Sequence, residues 1–147
     1  MALSANAPRV FRNTAGLMYE DVIVANGVTV YCGALCAKVA ADGLLTPAAD
    51  STTLKFAGVS IGPNGDETSV VGDGTTTYCR VVTNCEALLP CAGSVTAADN
   101  LAILYCTADD EVTDVGTLGP VLGIHAGQET STSVWVRLGS PAMAAAS

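Results

Sequence analysis

Short apolar runs that end at glycine, proline, asparagine or aspartate recur along most of this chain, and they restrict its fold more than any other feature. Residues 28–32, 54–61 and 133–138 are clear examples, each rich in β-branched side chains. Such runs predict strands, and their spacing of about 8–12 residues is typical of an all-β sandwich or barrel. We expect about eight or nine short strands.

The amino-acid composition favours the same fold class. The chain contains 17 Val and 16 Thr, which suit a pleated sheet, against 5 Glu, 2 Lys and 1 Gln, which commonly cover helices. Its 147 residues are enough for one domain. The predicted fold is mainly β: a compact antiparallel β-sandwich or small β-barrel with an extended N-terminal arm.

Three segments are predicted along the chain. Residues 1–20 show no alternation of apolar and polar side chains and form the N-terminal arm. Residues 21–139 form a single β-rich domain, and residues 140–147 form a C-terminal tail. Within the domain, Asn26-Gly27 is a two-residue turn signal that predicts a hairpin between the apolar runs on either side.

The two halves of the domain resemble each other faintly. Residues 39–45, 57–62 and 69–71 show the same order of features as residues 95–101, 122–127 and 133–136: a turn with aspartate, an apolar strand with glycine, and a Ser-Val strand. Either short β-hairpins look alike by chance, or the domain consists of two related lobes. A solenoid is excluded, because it needs at least about three copies.

Acidic residues outnumber basic ones by 14 to 6, which gives a net charge of −8. This balance disfavours nucleic acid and anionic membranes as partners, because both are bound through Lys and Arg. No apolar run approaches the length of a membrane span, and none follows Arg9 and Arg12 as in a secretory signal. We expect synthesis in a cytoplasm.

His125 is the one histidine and therefore the only starting point for a nucleophile–histidine pair. It lies in an alternating apolar run, and the chain has neither a Gly-x-Ser-x-Gly turn nor a phosphate-binding loop, so a structural role is favoured. The acidic cluster Asp109-Asp110-Glu111 with Asp114 lacks the spacing of a calcium loop and is expected to be a solvated turn. No enzymatic activity, metal or cofactor is expected.

Six cysteines stand at positions 32, 36, 79, 85, 91 and 106, without a Cys-x-x-Cys pair. The favoured interpretation is that they are small buried thiols. The alternative is a disulfide between Cys85 and Cys91, which flank the segment around Pro90, formed once the protein has left the reducing cell.

With few charged residues, the surface must consist largely of Ala, Thr, Ser, Gly and Val, which suits permanent packing against neighbours. A series of weak motifs adds to this expectation by its order. The motifs are Val30–Val39, Asp42-Gly43, Pro47–Asp50, Phe56–Ile61, Gly72–Gly74, Val95–Asp99, Leu104-Tyr105, Asp109-Asp110, Val121–Ile124 and Val134–Leu138. In this succession the chain resembles the tailed-phage capsid decoration (cement) proteins, small β-rich head-surface proteins, over roughly residues 22–138. The six cysteines and the Arg-bearing N-terminus depart from that pattern.

The resemblance implies a structural virion protein, made in the host cytoplasm, that binds the outer surface of an icosahedral phage head and cements neighbouring capsomers. It implies the major capsid protein as partner and a homo-oligomer, with a trimer favoured. We expect the arm to make the capsid contacts, with Phe11 as apolar anchor. The predicted contact residues are Pro8, Arg9, Val10, Phe11 and Arg12.

The alternative function is a β-sandwich binding module that recognises carbohydrate or a host surface from a virion or cell. Such a module needs exposed aromatic side chains, and aromatic residues are only 5% of this chain. Its candidates are Tyr19, Tyr31, Tyr78 and Tyr105. Trp135 lies in the closing apolar run and is expected in the core.

Overall fold

The computed structural model describes residues 3–115 and 119–139, and within them the chain is mainly β. The predicted fold class is confirmed. The strands are β1 (Val10–Arg12), β2 (Tyr19–Ile23), β3 (Thr29–Val30), β4 (Leu35–Val39), β5 (Leu45–Pro47), β6 (Leu54–Gly62), β7 (Val70–Val71), β8 (Tyr78–Val82), β9 (Glu86–Pro90), β10 (Ile103–Ala108), β11 (Glu111–Thr113), β12 (Val121–Thr130) and β13 (Ser133–Leu138). Short 3-10 turns lie at Thr14–Gly16, Pro63–Gly65 and Ala97–Asp99. No helix in the described ranges is long and apolar enough to cross a membrane.

The strands form three antiparallel sheets. The order is β1-β9-β13-β12-β10-β11 in the first, β2-β8-β6-β4-β5 in the second, and β3-β7 in the small third sheet. The two large sheets pack together and do not close into a barrel, so the sandwich is the correct one of the two predicted architectures. The predicted tail, residues 140–147, lies outside the described residues.

The two large sheets repeat one topology. If the strands of each half are counted in chain order, β2, β4, β5, β6 and β8 form a sheet in the order 1-5-4-2-3, and β9, β10, β11, β12 and β13 form another in the same order. Each half also has one parallel bridge from the residue after its first strand to its third strand, Val24 to Leu45 and Cys91 to Val112. The domain therefore consists of two related halves, and β1 is an addition to the second.

The repeat extends to the register of the strands. Cys36 lies opposite Gly58 at a register shift between β4 and β6, and Leu104 lies opposite Gly123 at the same shift between β10 and β12. A Cβ on Gly58 would lie 2.5 Å from the Val82 carbonyl oxygen, so a larger residue does not fit there. The register shift and its glycine are therefore structural features that recur together in both halves.

The structure corrects the register of the sequence repeat. Residues 57–62 and 122–127 do correspond, because they lie in β6 and β12. The pairing of residues 69–71 with 133–136 is wrong, since β13 corresponds to β8 and not to β7. The pairing of residues 39–45 with 95–101 is also wrong. Val95 N–H donates to Ala92 O as Val28 N–H donates to Ala25 O, so Val95 corresponds to Val28.

Two local predictions fail for related reasons. The Asn26-Gly27 turn forms, but it joins strands that do not pair with each other, because β2 pairs with β8 and β3 pairs with β7. The acidic turn at residues 109–111 leads directly into β11, a strand that the sequence did not reveal because its run is only three residues long. Asp109 itself is buried rather than solvated.

Alternate residues of β4 face two separate apolar clusters, so this strand is buried on both sides. Cys36 belongs to a cluster inside the first half, whereas Leu35 and Ala37 belong to the larger cluster that joins both halves. The smaller cluster contains Val22, Val24, Val30, Ala34, Cys36, Leu45, Cys79 and Val81. Because the larger cluster draws on both sheets, the halves form one core and not two independent lobes.

Candidate functional site

The N-terminal arm lies against the domain and is hydrogen-bonded to it at intervals. Leu3 N–H donates to the Asp109 carboxylate (2.8 Å) and Cys32 N–H donates to the Asn6 side-chain oxygen (2.9 Å). Ala7 N–H donates to the Cys32 carbonyl (2.8 Å). The arm therefore carries its own set of domain contacts before it reaches β1.

Gly33 makes this path possible. Its φ is +90°, and a Cβ built on it would lie 1.8 Å from the Ala7 carbonyl oxygen. The Arg9 guanidinium also donates to the Gly33 carbonyl through Nε (2.9 Å).

The residue of the second half that corresponds to Gly33 is Leu101, which also has a left-handed φ (+70°) but is 67% exposed. Gly33 and Leu101 are equivalent because Gly33 N–H donates to Ser60 O as Leu101 N–H donates to His125 O.

The arm ends in β1, which adds an edge strand to the second half. Val10, Phe11 and Arg12 lie opposite Leu88, Ala87 and Glu86 of β9. Phe11 packs against the larger apolar cluster. These three residues therefore form part of the sheet.

Arg12 makes the shortest polar contact described for the arm. Its Nε donates to Glu86 at 2.6 Å, its Nη2 donates to the Ala126 carbonyl at 3.1 Å, and its guanidinium lies 4.1 Å above the Trp135 ring. Arg137 reaches the other Glu86 oxygen at 3.4 Å. Burial alone raises the pKa of Glu86, but the hydrogen bonds and charges of the two arginines outweigh it and hold that pKa below its ordinary value.

The five predicted contact residues thus divide into two groups. Phe11 and Arg12 face the domain, and Arg9 is half-buried, where desolvation lowers its pKa despite the nearby Asp110, Cys32 and Asp109. Pro8 and Val10 face solvent, and Val10 is 59% exposed. They line a shallow groove together with Leu88, Pro90 and Ser133.

Exposed apolar side chains continue beyond β1. Leu17, Met18 and Tyr19 precede or begin β2 and are 36%, 63% and 54% exposed. With Val10 they are four of the eight large apolar residues exposed within the described ranges. We call these four residues, which are close in sequence, the N-terminal apolar surface; Val10 lies on an edge strand of the first large sheet and Tyr19 on an edge strand of the second. The capsid contacts predicted from sequence were confined to Pro8–Arg12, and the exposure of Leu17, Met18 and Tyr19 is evident only from the tertiary structure.

The outer edge of β2 has no partner strand at residues 19–21 in the described structure, whereas the corresponding edge of β9 has one; beyond these residues, Val24 bridges Leu45 of β5. Thr83 N–H donates to Met18 O and Val24 N–H donates to Thr77 O, so even-numbered residues of this segment hydrogen-bond towards β8. The backbone N–H and C=O groups of Tyr19 and Asp21 therefore point away from β8, whereas Ile23 adjoins the parallel bridge between Val24 and Leu45. In β9 the equivalent outward groups of Glu86 and Leu88 are paired with β1.

His125 is a core residue whose ring nitrogens face neighbours within its own strand. Its Nδ1 accepts the Gly127 N–H (3.2 Å), which leaves the proton on Nε2 to donate to the Gln128 side-chain oxygen (2.9 Å). The structural interpretation of His125 is thus supported by its contacts. Within residues 3–115 and 119–139, no cluster of His, Cys, Asp or Glu has the arrangement of a metal site.

All six cysteines are free thiols, and all but Cys85 are buried. Burial raises the pKa of Cys32 to about 11 and that of Cys106 to about 12. The alternative Cys85–Cys91 disulfide is not formed in this structure. The two residues flank β9, and six steps along an extended strand separate them by about 20 Å.

The candidate tyrosines of a carbohydrate-binding module are spread over both halves. Tyr19 and Tyr78 are about half exposed, whereas Tyr31 and Tyr105 are partly buried. The Arg80 guanidinium lies 4.2 Å over the Tyr19 ring, so one face of that ring is already covered. Trp135 is buried as expected and donates its indole N–H to Glu129 (3.0 Å).

No protein-family model matches the chain, and no curated protein matches its sequence. The case for a function therefore rests on the residues and their geometry.

Proposed function

We propose that this chain is a structural decoration protein of a tailed-phage head. It binds the outer surface of the icosahedral capsid, cements neighbouring capsomers through contacts with the major capsid protein, and acts as a homotrimer without catalysis. The order of sequence motifs described above supports this proposal, as does a net charge of −8, which keeps the free protein apart from DNA and anionic membranes.

The observation that carries the proposal is the N-terminal apolar surface. Val10, Leu17, Met18 and Tyr19 expose apolar side chains within ten consecutive residues. Val10 lies on a segment that Arg12 and Phe11 hold in place, so its ordering costs little when a partner binds. A capsid offers many identical sites, so modest contacts of each subunit add up through trimerisation.

Binding to purified expanded heads tests the proposal. The wild-type chain is mixed with empty heads, and co-sedimentation at 150 mM salt measures the bound stoichiometry; we expect saturation at a number fixed by the capsid symmetry. Light scattering of the free protein measures the oligomer. A protein that stays in the supernatant at every concentration contradicts the proposal.

A pair of matched variants locates the contact. Val10→Ser and Val71→Ser remove the same side chain from two positions of similar exposure, 59% and 62%. Val71 lies on β7 of the small sheet, outside the N-terminal apolar surface. We expect about tenfold weaker head binding for Val10→Ser only, which corresponds to loss of one buried apolar side chain at an interface. Equal binding by both variants contradicts this location.

A further inference from the structure

We propose that the free edge of β2 binds an extended, basic segment of a partner protein by strand addition. The segment runs antiparallel to β2, in the register that β1 has on β9. The identification of the partner as the major capsid protein rests on the function proposed above, whereas the strand addition itself rests on the repeat.

The repeat defines the geometry of this site. Tyr19 of β2 pairs with Val82 of β8, as Glu86 of β9 pairs with Arg137 of β13. Val82 and Arg137 also correspond to each other. Val82 lies opposite Val59 and Arg137 lies opposite Ile124, and Val59 and Ile124 each follow the glycine at the shared register shift. The outward groups of Tyr19 and Asp21 therefore occupy the positions of Glu86 and Leu88.

The edge of β9 shows what such a position binds. Three consecutive arm residues pair with Glu86, Ala87 and Leu88. The basic side chain of Arg12 lies opposite the acidic side chain of Glu86 and contacts it at 2.6 Å. One half of this protein thus already binds an extended segment with a basic residue at the equivalent edge.

The charges on β2 select the partner. Glu20 and Asp21 are adjacent carboxylates whose side chains are 48% and 42% exposed, and β2 contains no basic residue. Arg80 of the adjacent strand β8 pairs with Asp21, and Lys38 of β4, which is not adjacent to β2 in the sheet, pairs with Glu20; both carboxylates remain partly exposed. Consecutive strand residues face opposite sides of a sheet, so an incoming strand gains one opposite-charge cross-strand pair from a Lys or Arg directly opposite Asp21. A second basic residue two positions away lies opposite Tyr19, the position at which Arg12 lies opposite Glu86 in the other half.

A second copy of this chain fits the site less well. Two β2 edges paired with each other would bring the carboxylates of one copy against those of the other, which is destabilising. The arm of a second copy is a poor donor too, because it already pairs with its own β9. The acidic edge thus disfavours self-association while leaving a basic segment free to bind.

Asp21→Pro and Asp21→Ala form the decisive pair of variants. Both lose the ion pair with Arg80, but only proline also removes the outward N–H that a new strand needs. The equivalent edge of β9 already contains a proline, Pro90, two residues after Leu88, which corresponds to Asp21. Circular dichroism and hydrogen exchange of the β8 amides check that both variants fold.

A synthetic peptide, acetyl-Thr-Lys-Val-Arg-Val-Thr-amide, is the probe, and ¹⁵N NMR at 150 mM salt is the measurement. We expect slower hydrogen exchange at residues 19 and 21 of the wild type and of Asp21→Ala, and at least about tenfold weaker binding to Asp21→Pro. A control peptide with the same side chains and N-methylated backbone at alternate positions should not bind. Equal binding of both peptides, shifts spread over the acidic surface, or no binding up to millimolar peptide overturns the strand addition.

Head binding separates this inference from the proposed function. If the wild type binds heads and Asp21→Pro binds as well as Asp21→Ala, the assignment of the β2 edge to the capsid protein is wrong while the decoration function stands. If the wild type ignores heads, the decoration function fails, and the peptide experiment alone decides the strand addition.

Discussion

Ser60 and His125 occupy the same position in the two halves of the molecule. Each is buried, and each lies two residues before a glycine with positive φ, Gly62 or Gly127. The side chain of each accepts the N–H of that glycine, at 3.3 Å for the serine hydroxyl and 3.2 Å for the imidazole. The one histidine of the chain therefore performs a task that a serine performs in the other half.

This equivalence predicts the behaviour of His125 variants. His125→Ala leaves the Gly127 N–H without its acceptor and opens a cavity, so we expect a loss of roughly 2–4 kcal/mol in the free energy of unfolding. His125→Asn keeps an acceptor close to the position of Nδ1 and should lose about 1 kcal/mol less. Urea unfolding measures both. Equal losses would show that the hydrogen bond to Gly127 contributes nothing, and head binding well below the unfolding temperature should be unchanged in either variant.

Gly33→Ala should detach the arm. The new Cβ would meet the Ala7 carbonyl at 1.8 Å, whereas at Gly43, where φ is also positive (+73°), a Cβ meets nothing within 4 Å. Gly43→Ala is therefore the matched control for backbone strain, with an expected cost of about 1–2 kcal/mol. Limited trypsin digestion followed by mass spectrometry should show faster cleavage after Arg9 and Arg12 in Gly33→Ala only. If both variants are cleaved at the wild-type rate, Gly33 does not control the seating of the arm.

The ion pair between Arg12 and Glu86 should make stability depend on acid. Because the folded-state pKa of Glu86 lies below its ordinary value, the pair stabilises the protein above about pH 4.5, and this contribution is lost as the pH falls through the folded-state pKa. Arg12→Gln should cost about 1–3 kcal/mol at pH 7 and should lose less further stability between pH 6 and pH 3 than the wild type. Lys55→Gln removes an equal charge from an exposed position of β6 and serves as control.

Asp109 makes the free energy of unfolding depend on pH in the direction opposite to that of Glu86. Desolvation raises its pKa, so its contribution to stability is present at low pH and declines as the pH rises past the ordinary value. The contribution of Asp109 is the same in the wild type and in Arg12→Gln. It therefore cancels when the free energies of unfolding of the two proteins are subtracted at each pH. Parallel curves for the two proteins would contradict the role assigned to Glu86.

The thiols should react in two classes. Desolvation raises the pKa of all six thiols, so they are protonated at neutral pH, but Cys85 is partly exposed whereas the other five are buried. With Ellman's reagent at pH 8, we expect one thiol to react quickly in the native protein and all six in urea. Cys85→Ser should abolish the fast phase, whereas Cys91→Ser should leave it. Mass spectrometry of peptides linking Cys85 to Cys91 would overturn the strand geometry between them.

Sequence reasoning located most strands, because their apolar runs are bounded by strong turn residues. Residues 35–39, predicted to end at Asp42-Gly43, form β4, and Gly43 N–H closes that turn on the Val39 carbonyl. Pairing was less predictable, since partners come from distant parts of the chain. The hairpin expected at Asn26-Gly27 failed for this reason: a local turn signal cannot report that β8 and β7 compete for the two strands.

For the candidate site, too, the local sequence identified the segment but not its contacts with distant residues. The pattern of the arm identified Pro8 to Arg12, but only tertiary structure shows that Phe11 and Arg12 bind the domain while Val10 faces solvent. The repeat was detectable in sequence at the Gly-bearing strands β6 and β12. Its full register was hidden, because Ser60 and His125 carry out one role with unrelated side chains.

The pairing of β1 with β9 also imposes an order on synthesis. Arg12 is synthesised before its partner Glu86, which follows 74 residues later. During this interval the first half can assemble its own sheet, but the arm has no strand to join and its apolar side chains have no fixed place. Seating of the arm is therefore a late event, and a nascent or truncated chain does not display the ordered N-terminal surface of the finished protein.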